Sequence, residues 1–152
     1  MSEDAAAPVS AGSDPAAYRF WVPEHVRFAD LDLIGHVNNK AYATYAESGR
    51  AAFLRHIGLW RPDAARQSVV VRLQIDYRQE LHYPAELRIG VRVLDIGRRS
   101  FTLGLGIFHG ERCAATVVTV FARVDARTRR AVELDDAERA ALGEYRAHAL
   151  GG

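Results

Sequence analysis

The sequence predicts an α+β fold, in which an antiparallel five-stranded sheet wraps around one long central helix and a short helix follows. Three observations carry this prediction. The pattern reads as one strand, one long helix and then four strands; the helix is apolar on two sides; and the connections between the later strands are short. The length of 152 residues supports one core, since a chain of that size buries roughly 70 % of its unfolded surface. An apolar fraction of 49 % and a charged fraction of 26 % belong to a soluble globular protein and exclude collagen-like, disordered and disulfide-scaffold classes.

Residues 1–17 are rich in Ala, Pro, Ser and Gly and show no hydrophobic period, which predicts a flexible leader ahead of a single domain spanning 18–148. Tyr18 to about Phe28 is aromatic and β-branched and predicts a strand, with Pro23 at an edge or a bulge. The turn-type run Asp30-Leu-Asp-Leu-Ile-Gly35 breaks it, and Asn38 or Asn39 supplies a cap for a helix ending near Ile57. Tyr42, Tyr45, Ala46, Gly49, Phe53 and His56 recur at spacings of three and four, and Gly58 fits the end. Ala43, Ala51 and Leu54 make the other side apolar too, which predicts a helix enclosed by other elements. Four period-two segments follow, centred on Val69–Tyr77, Leu87–Val93, Phe101–Ile107 and Ala114–Ala122. Their short connections predict antiparallel neighbours, because parallel pairing needs long crossovers. Asp135 with Glu138 three residues on opens an amphipathic stretch to about His148, predicting a short surface helix.

A net charge of +1 gives no field that attracts a polyanion, so no nucleic-acid partner is expected. Cys113 stands alone, which excludes an internal disulfide and any two-thiolate site. The start Met1-Ser2-Glu3-Asp4 lacks a basic stretch and an apolar region, and no uncharged run reaches the ~20 residues of a membrane span. A cytoplasmic protein without a membrane span is the expectation. His25, His56, His82, His109 and His148 are too scattered for a metal site, so no metal is expected.

Polar groups are densest where the first strand hands over to the helix: Asp30, Asp32, His36, Asn38 and Asn39 fall within ten residues. Such junctions suit chemistry, because first-turn N–H groups are unpaired and the dipole's positive end favours developing negative charge. A carboxylate there can act as base or nucleophile. It can equally be a turn residue or an anion that stabilises the helix. Capping competes with chemistry at His36 too, and Asn38 and Asn39 side chains read as caps. Glu47 and Arg50, spaced i, i+3, read as an ion pair.

The run Asp30-Leu-Asp32-Leu-Ile-Gly35-His36-Val-Asn38-Asn39-Lys-Ala-Tyr42-Ala-Thr-Tyr45-Ala-Glu47-Ser-Gly-Arg50 resembles the signature of the hotdog-fold acyl-CoA thioesterases, the 4-hydroxybenzoyl-CoA thioesterase-like group. The likeness covers about residues 19–125. It implies a hotdog fold and hydrolysis of an acyl-CoA thioester, with Asp32 as nucleophile or general base. The family's oxyanion donor, a backbone N–H in the first helical turn, maps to about Asn39. Plant acyl-ACP thioesterases are similar here, and their pattern leaves His36 to polarise the carbonyl or position water; their Asn is Ile34 in this chain. A Y-G-D-x-L pattern also departs at Ala85, so no site is inferred there.

Coenzyme A presents phosphates, which suit bidentate Arg contacts, and the resemblance points to Arg98, Arg99 and Ser100 on the hairpin Gly97–Ser100. A solvated turn is the plain alternative for these arginines; Arg127, Arg129 and Arg130 form a second basic cluster. The pocket is expected to draw its wall from two chains, with Tyr42, Trp60 and Tyr77 as candidates. No cofactor is expected beyond the CoA of the substrate, with ACP as another possible carrier. Open sheet edges and the family's two-subunit sites imply a homodimer or homotetramer. Two other functions compete. A noncatalytic acyl-CoA-binding module needs no carboxylate at this place, and a hotdog dehydratase or hydratase would bring a His-containing, Pro/Gly-rich signature that is missing.

Overall fold

A computed structural model describes residues 12–147. Its elements are β1 (Phe20–His25), α1 (Asn39–His56), β2 (Arg66–Tyr77), β3 (Glu86–Ile96), β4 (Ser100–His109), β5 (Arg112–Asp125) and α2 (Asp136–Gly143). Every pairing is antiparallel and the sheet order is β1-β3-β4-β5-β2. With α1 against the β1, β3 and β4 side, this is the sheet around a long helix that the sequence predicts.

One pairing differs from the expectation. The short connection after β2 does not make a hairpin with β3; β2 instead pairs with β5 at the far edge. Residues 78–85 therefore cross the end of two intervening strands. Three inter-strand steps are about 15 Å, and eight residues reach about 26 Å, so the crossing is within the chain's span.

β1 pairs only with β3, and an edge is where Pro23, lacking a ladder donor, is tolerated. The strand stops at His25, short of Phe28, because the Asp30 carboxylate accepts from the Arg27 N–H at 2.9 Å and turns Phe28–Asp30 into a 3-10 turn. Residues 1–11 of the expected leader lie outside the described residues. Its remainder turns through a 3-10 helix, Pro15–Ala17, capped by Asp14. Tyr18 then packs with Phe108, Cys113 and Trp21 on the sheet face turned away from α1.

α1 is capped by Asn38, whose side chain accepts from the Lys40 N–H at 2.9 Å, and Gly58 follows its end with φ 85. Its buried residues include Tyr42, Tyr45, Gly49 and Phe53. A Cβ at Gly49 would sit 2.5 Å from Ile89 Cγ2, so the missing side chain sets how closely helix and sheet approach. Ile89, Val91, Leu103, Leu105 and Val117 fill the layer between, each contributing roughly 1.5–3 kcal/mol by leaving water. The enclosure is partial, since Glu47 and Ala51 face solvent. β2 stays open as well: Val70, Val71, Leu73 and Tyr77 are exposed, Val71 by 60 %.

α2 is more than a surface helix. Asp135 and Glu138 form a reciprocal cap, Leu142 is fully buried, and the Glu138 carboxylate accepts from Arg66 and from the buried Arg123. The helix ends at Gly143; His148, the expected end, lies outside the described residues. No helix among the described residues is long and apolar enough to cross a membrane.

Candidate active site

The segment between β1 and α1 is folded around two carboxylates with different tasks. Asp30 is buried; its carboxylate accepts from the Tyr45 hydroxyl at 2.6 Å and from the Arg27 guanidinium at 3.1 Å, and its carbonyl accepts from the Asn38 N–H at 2.8 Å. Burial pushes this carboxyl up, but the bonds from Tyr45 and Arg27 outweigh it and hold it below the usual carboxylate range. Burial and the Asp30 acceptor together push the Tyr45 phenol far up. Asp30 thus anchors the loop to the helix.

Asp32 sits in the tight loop that follows. Its N–H donates to the His36 carbonyl at 2.8 Å, and Gly35 closes the turn at φ 85. The Asp32 Oδ1 accepts from the N–H groups of Ile34 and His36, both at 3.0 Å. Oδ2 has no protein donor among the described residues. One oxygen therefore fixes the loop, and the other is not tied to it.

Asp32, His36, Asn39 and Tyr42 line a cleft of about 290 Å³, with Tyr77 and Glu80 opposite. Asn39 is the first residue of α1, so no intrahelical carbonyl reaches its N–H. Two tyrosines tie the end of β2 to the start of α1: the Tyr42 hydroxyl donates to the Gln79 carbonyl at 3.0 Å, and that of Tyr77 to the Asn39 carbonyl at 3.2 Å. Their rings meet edge to face at 5.0 Å. Burial raises the Tyr42 phenol, which keeps it a donor.

Glu80 is not among the residues that the sequence singles out. Its carboxylate oxygens lie 3.4 Å from His36 Nδ1 and 3.8 Å from His82 Nε2, and the two imidazoles are edge to face at 5.3 Å. No local signal marks it, because 48 residues separate Asp32 from Glu80 and only the crossing after β2 brings them together. No group of three or more His, Cys, Asp or Glu among the described residues is arranged to hold a metal ion.

The structure brings Asp32, His36, Asn39, Tyr42 and Tyr77 to one cleft, and leaves the other named residues elsewhere. Arg98, Arg99 and Ser100 lie at the turn between β3 and β4, at the opposite end of the strands; the 11 residues of β3 place them roughly 30 Å along the sheet. There Arg98 is 2.8 Å from Glu133, with Arg99 at 3.9 Å. Arg129, of the second basic cluster, donates to Gln67 at that same end. Trp60 follows the C-terminal end of α1, stacked under Arg55, so it cannot wall the cleft of its own chain. Glu47 and Arg50 pair at 3.9 Å as expected. A larger depression, about 510 Å³, is also at that distant end; of its charged lining, Arg66 and Arg123 are paired with Glu138.

Comparison with known proteins adds the following. Residues 26–142 match the thioesterase-like superfamily. The protein YsmA of Bacillus subtilis (strain 168) is 30 % identical over 128 residues, 83 % of this chain and 86 % of that one. The crystal structure of the PA5185 protein from Pseudomonas aeruginosa strain PAO1 superposes with a TM-score of 0.83 at 28 % identity, covering 90 % of this chain and 98 % of that one. A thioesterase from Thermus thermophilus, solved with coenzyme A and zinc, superposes at 0.76 and 28 % identity, covering 85 % of this chain and 95 % of that one.

Proposed function

Because this chain belongs to the thioesterase-like superfamily, we propose that it hydrolyses acyl-CoA thioesters at the cleft beside Asp32. The observation that carries this reading is a division of labour in one carboxylate. Oδ1 is spent on two loop amides, while Oδ2 has no protein donor among the described residues, and Asp32 and the first residue of α1, Asn39, line the same cleft.

In this mechanism Oδ2 either attacks the thioester carbonyl or removes a proton from the water that does. Negative charge grows on the carbonyl oxygen, and the Asn39 N–H, at the positive end of α1, stabilises it. If Oδ2 attacks, the C–S bond breaks to leave a mixed anhydride on Asp32 and a CoA thiolate that takes a proton from solvent, and water then hydrolyses the anhydride to the free carboxylate. If Oδ2 acts as base, the hydroxide adds to the carbonyl, the C–S bond breaks, the thiolate takes the proton that Asp32 removed from water, and the acyl group leaves as an acid that ionises in solvent. His36, steadied by Glu80, orients the carbonyl or the water. Tyr42 and Tyr77 hold the two walls together. The reaction needs no cofactor beyond the CoA of the substrate. Coenzyme A bound to the Thermus relative supports that carrier. The open edge of β2, with Val71 and Leu73 exposed, supports pairing with a second copy to form a homodimer or homotetramer.

The test is thiol release from short, medium, long and aromatic acyl-CoAs by the wild type, Asp32→Asn and Asp32→Ala. Asparagine keeps an acceptor for the Ile34 and His36 amides, so it should melt near the wild type yet lose on the order of 100-fold or more in kcat. Alanine should lose the activity and also about 1–2 kcal/mol of stability, the worth of two partly exposed loop bonds. An Asp32→Asn protein with full kcat refutes the role of Asp32. A wild type that binds every acyl-CoA and cleaves none is a binding module.

A further inference from the structure

A second cavity, about 440 Å³, shares Gln79 and Glu80 as a wall with the Asp32 cleft; His82, His109 and Arg112 complete its polar lining. Its one permanent cation is Arg112, the first residue of β5, set opposite His109 across the turn at Gly110. Among the described residues no carboxylate lies within salt-bridge distance of Arg112. Arg98, by contrast, is held by Glu133, and a phosphate arriving there would have to displace a carboxylate. Glu80, the only acid in the wall, already has an imidazole near each of its oxygens. An anion entering this cavity therefore meets an uncommitted guanidinium and two imidazoles able to donate.

Position matches charge. Ala115 pairs with Tyr77, which walls the cleft, and Arg112 stands three residues before it on β5, roughly 10 Å away. A flexible pantetheine arm bridges that gap with slack.

We propose that this cavity, and not the turn carrying Arg98 and Arg99, receives the phosphate end of a phosphopantetheine thioester whose acyl carbonyl lies beside Asp32. The inference rests on the thioesterase reading. A contact so far from the reacting carbonyl contributes equally to ground and transition states, so its loss raises KM and leaves kcat alone.

Three thioesters of one acyl group separate the possibilities: acyl-CoA, acyl-4′-phosphopantetheine and acyl-pantetheine, which has no phosphate. Arg112→Ala should raise KM about tenfold on a phosphorylated carrier, the scale of one exposed charge-assisted contact. Its KM for acyl-pantetheine should be unchanged, which also shows the variant to be folded. Arg98→Ala should leave all three unchanged. A rise shared by both phosphorylated carriers places the pantetheine phosphate in the cavity; a rise confined to acyl-CoA places the nucleotide phosphates there, and either upholds the site. Equal KM values for wild type and Arg112→Ala on every carrier, a rise that includes acyl-pantetheine, or an effect of Arg98→Ala in its place overturns it. If the wild type cleaves none of the three, the thioesterase reading fails separately, and calorimetric titration with CoA still tests the cavity through a tenfold weaker Kd in Arg112→Ala.

Discussion

Replacing Tyr45 by Phe removes one oxygen from the interior and isolates what the Asp30 carboxylate contributes to the fold. The Tyr45 hydroxyl is 2.6 Å from Asp30 Oδ2, and Tyr45 itself is fully buried. The ring stays, so packing is kept and the loss is one hydrogen bond to a buried charge, about 2 kcal/mol. At about 3 °C per kcal/mol for a chain of this size, the melting temperature should fall by about 6 °C at pH 7. The effect should also depend on pH. Asp30 has a folded pKa below its ordinary value of 3.8; its stabilisation is complete above about pH 4 and is lost as pH falls through the folded value. Phenylalanine removes a bond that favours the charged form, so the gap between the two proteins should be full at pH 7 and narrow below about pH 4, where Asp30 takes up its proton. Thermal unfolding followed by circular dichroism across that range measures both. A shift under about 1 °C at pH 7, or a gap that persists unchanged into acid, refutes the reasoning.

Two further outcomes can be checked in the same way. Glu138→Gln takes the negative charge from Arg66 and from Arg123, whose side chain is 5 % exposed, and should cost about 3–5 kcal/mol, read as a urea midpoint lowered by more than about 1 M. Burial pushes the Glu138 carboxyl up, but hydrogen bonds from Arg66 and Arg123 bring it below its usual value of 4.5, so this gap too is full above about pH 4.5 and closes as pH falls through the lower folded value. Gly49→Ala would put a Cβ 2.5 Å from Ile89 Cγ2 and 3.3 Å from Leu105 Cδ2, and should destabilise by about 1–3 kcal/mol, against the gain alanine gives at an open helix position; equal or higher stability would mean that helix and sheet separate easily.

Local signals are legible in the sequence, and long-range ones are not. Asn38 and Gly58 mark the ends of α1 to within one residue because capping is settled by adjacent backbone groups. Alternation locates β2 to β5; β3, β4 and β5 present a face to the same core, and β2 reaches it through Ile75. Nothing in alternation says which strand lies beside which, and the move of β2 to the far edge escapes it for that reason. The same gap hides Glu80, which reaches His36 only through that crossing. The motif places Asp32, His36 and Asn39 together because one loop and one helical turn carry all three. Arg98 and Arg99 are proposed from the resemblance and from phosphate chemistry, and the length of β3 separates them from the cleft of their own chain. Trp60 likewise lies at the far end of an 18-residue helix from the cleft of its own chain.

The position of β2 also governs when the cleft can exist during synthesis. Asp32 and Tyr77 emerge from the ribosome early, yet β2 has no strand to lie against until residues 112–125 have been made. A nascent chain ending after β4 holds every residue assigned to the reaction and lacks the ladder that sets Tyr77 over Asn39. Loop-closure entropy must be met between partners as far apart as Arg66 and Asp125 before that ladder is complete. The wall that Tyr77 contributes to the cleft is therefore set only once the last strand is in place.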